Sequence, residues 1–199
     1  MKTMLNLSLR LALISAVAAL ALAQVADFTA GPIAAATRAA SLRAIRQVLP
    51  AYDNEPDQDV VRVALAEGDT LECFRGRKDG AVSGCAYKAV TQLGYSGEIV
   101  VMLGMDAAGQ VSGVRLLQHA ETPGLGAKYA EAALLDDYYK GHGLADTDWR
   151  VAKDGGDLDA VTGATVTGRA LADAIQRGLE QYQAHRDEIL GAAAAGGQP

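Results

Sequence analysis

An uncharged, mostly apolar run over residues 11–26, preceded by a segment whose only charges are Lys2 and Arg10, limits what the rest of this chain can become. A helix of sixteen residues spans about 24 Å, against about 30 Å for a hydrocarbon core. Snorkelling by Arg10, with residues 6–9 below it, supplies the missing turns. Ala21-Leu22-Ala23 ahead of Gln24 also fits the small-x-small pattern of signal-peptide cleavage, so a retained anchor and a cleaved leader both remain open from the residues alone. In either case Lys2 and Arg10 hold the N-terminus in the cytoplasm, and the rest of the chain is expected on the far side of the membrane.

Roughly 170 residues remain, enough for one domain with a sizeable core. Their composition is that of a globular protein, and the net charge of −6 comes without any basic tract. Nucleic acid is therefore not an expected partner. Apolar residues recur at helical spacing over 34–49 (Ala35, Leu42, Ile45, Val48 and Leu49), and Pro50 stops the pattern. Next come strand-like segments at 70–77 and 81–87 around Asp79-Gly80, then at 98–105 and 110–118 around residues 106–109, which reads as two hairpins. A helix is expected over 127–139, then short strands, then a last helix from about 168 to 190 with Leu171, Ala174, Ile175, Leu179 and Tyr182 on one face. The expected fold class is α+β: one transmembrane helix, then a small antiparallel sheet covered by helices. The expected division is an anchor at 1–26, a helical linker at 27–60, a domain at 61–190 and an unstructured tail at 191–199.

The two cysteines, Cys73 and Cys85, fall on the first hairpin. A three-residue loop at 78–80 would set them directly opposite, whereas a two-residue Asp79-Gly80 turn would send their side chains to opposite faces. Two cysteines without nearby histidines do not make a zinc or iron–sulfur site. They are expected as free buried thiols or an incidental disulfide. His142 and His185 lie in polar surroundings, and no Gly-x-Ser-x-Gly, His-Glu-x-x-His or Gly-Lys-Thr pattern occurs. Hydrolase and nucleotide-hydrolysis chemistry therefore has no support, and no catalytic residue is assigned.

The chemistry-bearing stretch is Asp159-Ala160-Val161-Thr162-Gly163-Ala164-Thr165-Val166-Thr167, an acid, a glycine and three hydroxyls running into a helical pattern. Unpaired N–H groups and the positive end of the macrodipole make such a helix start a seat for phosphate. Ordinary capping accounts for part of the composition, since Ser, Thr and Asp cap helices generally. A second segment, His119-Ala120-Glu121-Thr122-Pro123-Gly124-Leu125-Gly126, reads on its own as a turn, with Pro123-Gly124 suited to the centre of type II.

The order Asp-x-x-Thr-Gly-Ala-Thr resembles the flavinylation motif of FMN-binding domains in bacterial respiratory complexes. Together with the His119–Gly126 loop, Gly94-Tyr95-Ser96-Gly97 and Asp154-Gly155-Gly156, it resembles the G subunits of the Rnf ion-translocating electron-transport family, from the apolar segment to about Tyr182. The resemblance implies one FMN esterified through its phosphate to Thr165, making the chain a flavoprotein and a phosphoprotein, with Asp159, Thr162, Gly163 and Ala164 in the motif that a flavin transferase recognises. It implies Glu121, Thr122, Leu125, Gly126 and Lys128 as the shell of the ring and ribityl chain. It further implies an electron carrier rather than a complete enzyme, relaying electrons within a ferredoxin:NAD oxidoreductase complex of the inner membrane. That carrier would be single-pass, with a retained anchor and its domain in the periplasm. The related C subunit of the sodium-translocating NADH:quinone reductase shares the motif, and a non-redox periplasmic scaffold is a reading of another class. One membrane helix without an intramembrane acid is not an ion pathway.

Overall fold

The computed structural model describes residues 2–65 and 70–191. Of the expected tail, residues 192–199 lie outside the described residues. The chain forms two compact units, Met1–Ala40 and Ser41–Pro199. Helix α1, Lys2–Val48, begins in the first and ends in the second. Within the first unit it presents large apolar side chains outward, from Leu5 to Phe28 and Ile33, and by length and composition it is apolar enough to cross a membrane. It runs unbroken through Pro32, joining the apolar run to the periodic stretch beyond it. Proline leaves the carbonyl four residues earlier, that of Phe28, without its helical donor.

The second unit is built on an antiparallel meander: β1 Val60–Ala64, β2 Thr70–Lys78, β3 Ala81–Gly94, β4 Gly97–Asp106 and β5 Val111–Gln118, each strand paired with its neighbour in the chain. Alternation sorts side chains between two layers. Cys85, Tyr87, Val101, Leu103 and Met105 face the main core, closed by α2 (Ala132–Tyr139) and α3 (Thr165–Ala184). Ala86 and Met102 face the other side, where Ala44, Ile45, Val48 and Leu49 pack. The end of α1 seats closely there. Ser112 Oγ donates to Val48 O, satisfying a carbonyl that the helix end leaves without a partner. Gly104 and Gly113, paired across β4 and β5, leave room for Val48.

The fold class is as expected, with differences in detail. β1 answers to no expected strand, and β3 continues to Gly94 rather than stopping at 87. In place of short strands after α2 there is one isolated parallel bridge, Val151 to Leu158. The last helix starts earlier, at Thr165, and breaks at His185 before α4, Arg186–Leu190. The hairpin turn has two residues, Asp79 (φ 52) and Gly80 (φ 82), between paired Lys78 and Ala81. By itself that turn would put the cysteines on opposite faces. A bulge between Gly76 and Arg77 inserts one residue into β3, shifts the register again and sets Arg75 opposite Cys85. Cys73, two residues from Arg75, thus shares a face with Cys85, and both are free, buried thiols.

Asp59 ties the segment before β1 to β2. It accepts from Arg75 Nε at 2.7 Å and Arg77 Nε at 2.5 Å. Partial burial pushes its carboxyl up, but the two guanidinium groups outweigh this and hold it below the ordinary aspartate value. A depressed folded value means a contribution that is present above about pH 4 and lost as pH falls through the folded pKa. Asp59→Asn is therefore expected to cost about 2 kcal/mol at pH 7 and to approach the parent's stability at an acid pH below the lowered folded pKa. Thermal melts at the two pH values check this, and an equal deficit at both would refute it.

Candidate cofactor site

Two loops from distant parts of the chain meet at the start of α3. In the first, Gly124 takes φ +77, the positive value a type II turn requires at its third position, and Leu125 N–H donates to Thr122 O at 3.2 Å. A 3₁₀ turn over Gly126–Ala130 comes next and turns Tyr129 fully inward. In the second, Ala164 N–H donates to Val161 O at 2.9 Å, Gly163 takes φ +83, and α3 begins at Thr165. Val161 N–H donates to Tyr129 Oη at 3.0 Å, pinning the loops together. A Cβ at Gly168 would come within 2.7 Å of the same hydroxyl, so the first turn of α3 can approach Tyr129 this closely only with glycine there.

The start of α3 carries no side-chain cap: the residue before it is Ala164, which has no side-chain oxygen to offer. Gly168 N–H reaches Ala164 O at 3.0 Å, so the N–H groups of Thr165, Val166 and Thr167 are those left without a helical acceptor. Capping, which would explain the hydroxyls of this stretch, is not what they do. Thr165 is half-buried and its hydroxyl has no hydrogen-bond partner among the described residues.

These N–H groups border a cavity of about 530 Å³, within the range of small-molecule and cofactor sites. Glu121, Thr122, Leu125, Gly126, Gly163, Ala164 and Thr165 line it. Of the other residues singled out in the sequence, Lys128, Asp159 and Thr162 are exposed and lie outside the lining. Five lining residues carry no assignment from the sequence: Tyr95, Lys153, Val166, Thr167 and Arg169. Tyr95 and the neighbourhood of Lys153 are signalled there only by the Gly94–Gly97 and Asp154–Gly156 motifs. Arg169 is held by Asp154 in a two-pronged pair, Nε to Oδ2 at 2.6 Å and Nη2 to Oδ1 at 2.7 Å, and this guanidinium keeps the Asp154 carboxyl below its ordinary value. Leu125 is 44% exposed at the rim, and its Cδ2 would lie 3.2 Å from a Cβ at Gly163. The cavity thus combines backbone donors and two cations with an apolar flank, a donor set that suits a phosphate attached to a flat apolar ring system.

The FMN-binding domain family matches residues 94–180, a span that contains every residue lining this cavity. Along nearly its whole length the chain is similar to proteins named as the G subunit of an ion-translocating oxidoreductase complex. That of Cereibacter sphaeroides is 40% identical over 190 residues, covering 92% of this chain and 85% of the relative. The chain belongs to the G-subunit family of Rnf-type ion-translocating oxidoreductases. The Stutzerimonas stutzeri relative is 38% identical, with 90% of this chain and 80% of the relative covered. The Pseudomonas aeruginosa relative is 36% identical, with 98% and 96% covered. Family membership and domain together support FMN binding and electron transport within a multi-subunit membrane complex.

Proposed function

We propose that this chain is the flavin-bearing electron carrier of an ion-translocating oxidoreductase complex, holding one FMN through a phosphoester to Thr165. The observation that carries this reading is the uncommitted Thr165 hydroxyl at the first position of α3, beside three free N–H groups and next to Lys153 and Arg169. Esterification turns a phosphate monoester of about −1.5 to −2 charges into a diester of one, a load that a helix start and two cations hold comfortably. The isoalloxazine ring supplies the redox chemistry when bound. Leu125 offers it an apolar contact, and Gly126 lets the backbone approach. Asp159 and Thr162, exposed beside the loop, are available to a flavin transferase during maturation.

Lys2 and Arg10 set the N-terminus in the cytoplasm by the positive-inside rule, which puts the domain in the periplasm with α1 as its anchor. A flavin released there is diluted beyond recovery, and a covalent bond removes dissociation from the problem. Transfer of electrons within the complex then needs no exchange of cofactor.

Intact mass and in-gel fluorescence of the full chain, co-expressed with a flavin transferase and extracted in mild detergent, test the reading. One flavin mononucleotide per chain, mapped by peptide sequencing to Thr165, is the expected result. An unmodified, non-fluorescent chain overturns it and favours a scaffold without redox function, which would show no flavin absorbance to bleach in a redox titration.

A further inference from the structure

Three threonines compete for attachment within six residues, and the fold treats each differently. Thr162 is exposed and outside the cavity. Thr167 is 2% exposed and donates its hydroxyl to Glu121 Oε2 at 2.5 Å. Thr165 lines the cavity with its hydroxyl uncommitted. Glu121 is itself 5% exposed, and its other oxygen, Oε1, accepts Ser96 N–H at 3.0 Å. Two glycines make room for this arrangement. A Cβ at Gly94 would lie 2.9 Å from Oε1, and one at Gly126 would lie 2.6 Å from Thr167 Oγ and closer still to Oε2. One carboxylate thus binds the turn between β3 and β4, its own loop and the first turn of α3.

We infer that Glu121 is the positioning residue that selects Thr165 as the attachment hydroxyl, an inference that rests on the phosphoester reading above. Residues two apart on an α-helix stand about 200° apart around its axis, so drawing Thr167 inward fixes the rotation of the helix start and turns Thr165 away from the buried carboxylate. A carboxylate would activate a hydroxyl that a donor could reach; Thr167 borders the same cavity, but at 2% exposure its hydroxyl is turned to Glu121 and leaves phosphorus little room to approach. In the attachment step the Thr165 Oγ–P bond forms as the pyrophosphate P–O bond of a flavin dinucleotide donor breaks. A nucleoside monophosphate leaves with that bond's electron pair, the hydroxyl proton passes to a base in solution, and no oxidation state changes. Glu121 acts through Thr167 and Ser96 and does not touch the reacting atoms.

Four variants of the full chain, each co-expressed with the flavin transferase, test this by initial rate of loading and by the mapped position of the adduct. Glu121→Ala and Thr167→Val are expected to slow loading of Thr165 about tenfold or more, since displacements of about 1 Å have effects of that order on group transfer. In Glu121→Ala the released Thr167 hydroxyl is expected to take part of the adduct, a change that loss of stability alone does not produce. Glu121→Gln is expected to retain most of the rate, because its amide oxygen accepts Ser96 N–H while its NH2 donates to Thr167 Oγ. Thr167→Ser, which keeps the hydroxyl, is expected to do the same. Should Glu121→Ala fail to fold, the near-isosteric Thr167→Val decides. A parent chain without flavin on Thr165 overturns the phosphoester reading and this inference with it. A loaded parent beside folded Glu121→Ala and Thr167→Val chains loaded at Thr165 at the same rate overturns this inference alone.

Discussion

A chain carrying Thr165→Val is expected to fold normally and to hold no covalent flavin, with electron transfer in the assembled complex falling to background. The side chain is half-buried and forms no hydrogen bond within the described residues, and valine matches its shape, so the stability change should stay within about 0.5 kcal/mol. The effect on attachment is complete because no neighbour can substitute. Thr162 lies outside the cavity, and Thr167 is buried against Glu121. Thr165→Ser retains an oxygen at the same position and should restore loading. Intact mass on the two variants, with circular dichroism to establish folding, reads the result. A fluorescent adduct on the valine variant would show that the tether lies elsewhere.

The second large effect concerns stability rather than chemistry. Gly104→Ala is expected to destabilise the domain by about 3 kcal/mol, the upper end for overpacking, because the added methyl meets backbone instead of a yielding side chain. Its Cβ would stand 2.6 Å from Val48 C and 2.7 Å from Val48 Cβ, and closer to Val48 O. Val48 is fully buried, and its carbonyl is already held by Ser112, so little on that face can give. At about 2–4 °C per kcal/mol for a chain of this size, the melting temperature should drop by roughly 6–12 °C. Gly113→Ala, whose nearest contact is 3.1 Å to Val48 Cα, should lower it much less. Equal melting of the two variants would mean that the end of α1 is not seated on the sheet in solution.

Much of this architecture is legible in local pattern, and where it is not the causes are local too. β2 alternates over its first residues, β4 is a short apolar run between turn residues, and with β5 they sit near their expected places. The second half of β3 is hidden because its alternation is inverted: Val90 points outward while Thr91 is buried, the reverse of what hydrophobicity alone suggests. β1 is a five-residue edge strand with one fully buried side chain, too little period to recognise. The cysteines' shared face depends on a bulge, which no turn rule anticipates. At the site, the motif residues Gly163, Ala164 and Thr165 line the cavity together with the Glu121–Gly126 loop. The Glu121–Thr167 bond joins residues 46 apart and Arg169 meets Asp154 across 15, pairings that only the folded chain creates. Lys128 is exposed and stands outside the lining, a placement that its position in the motif does not reveal.

The meander order has a consequence for biogenesis. Because every strand pairs with its sequence neighbour, the sheet can assemble progressively as the polypeptide emerges. α3 follows all five strands in the chain, and α4 then buries Ile189 and brings its carbonyl to Arg75. A maturation enzyme that needs the completed α3 start therefore has no substrate on a nascent or truncated molecule. On the phosphoester reading, colour on this protein doubles as a certificate that the sheet and α3 have come together.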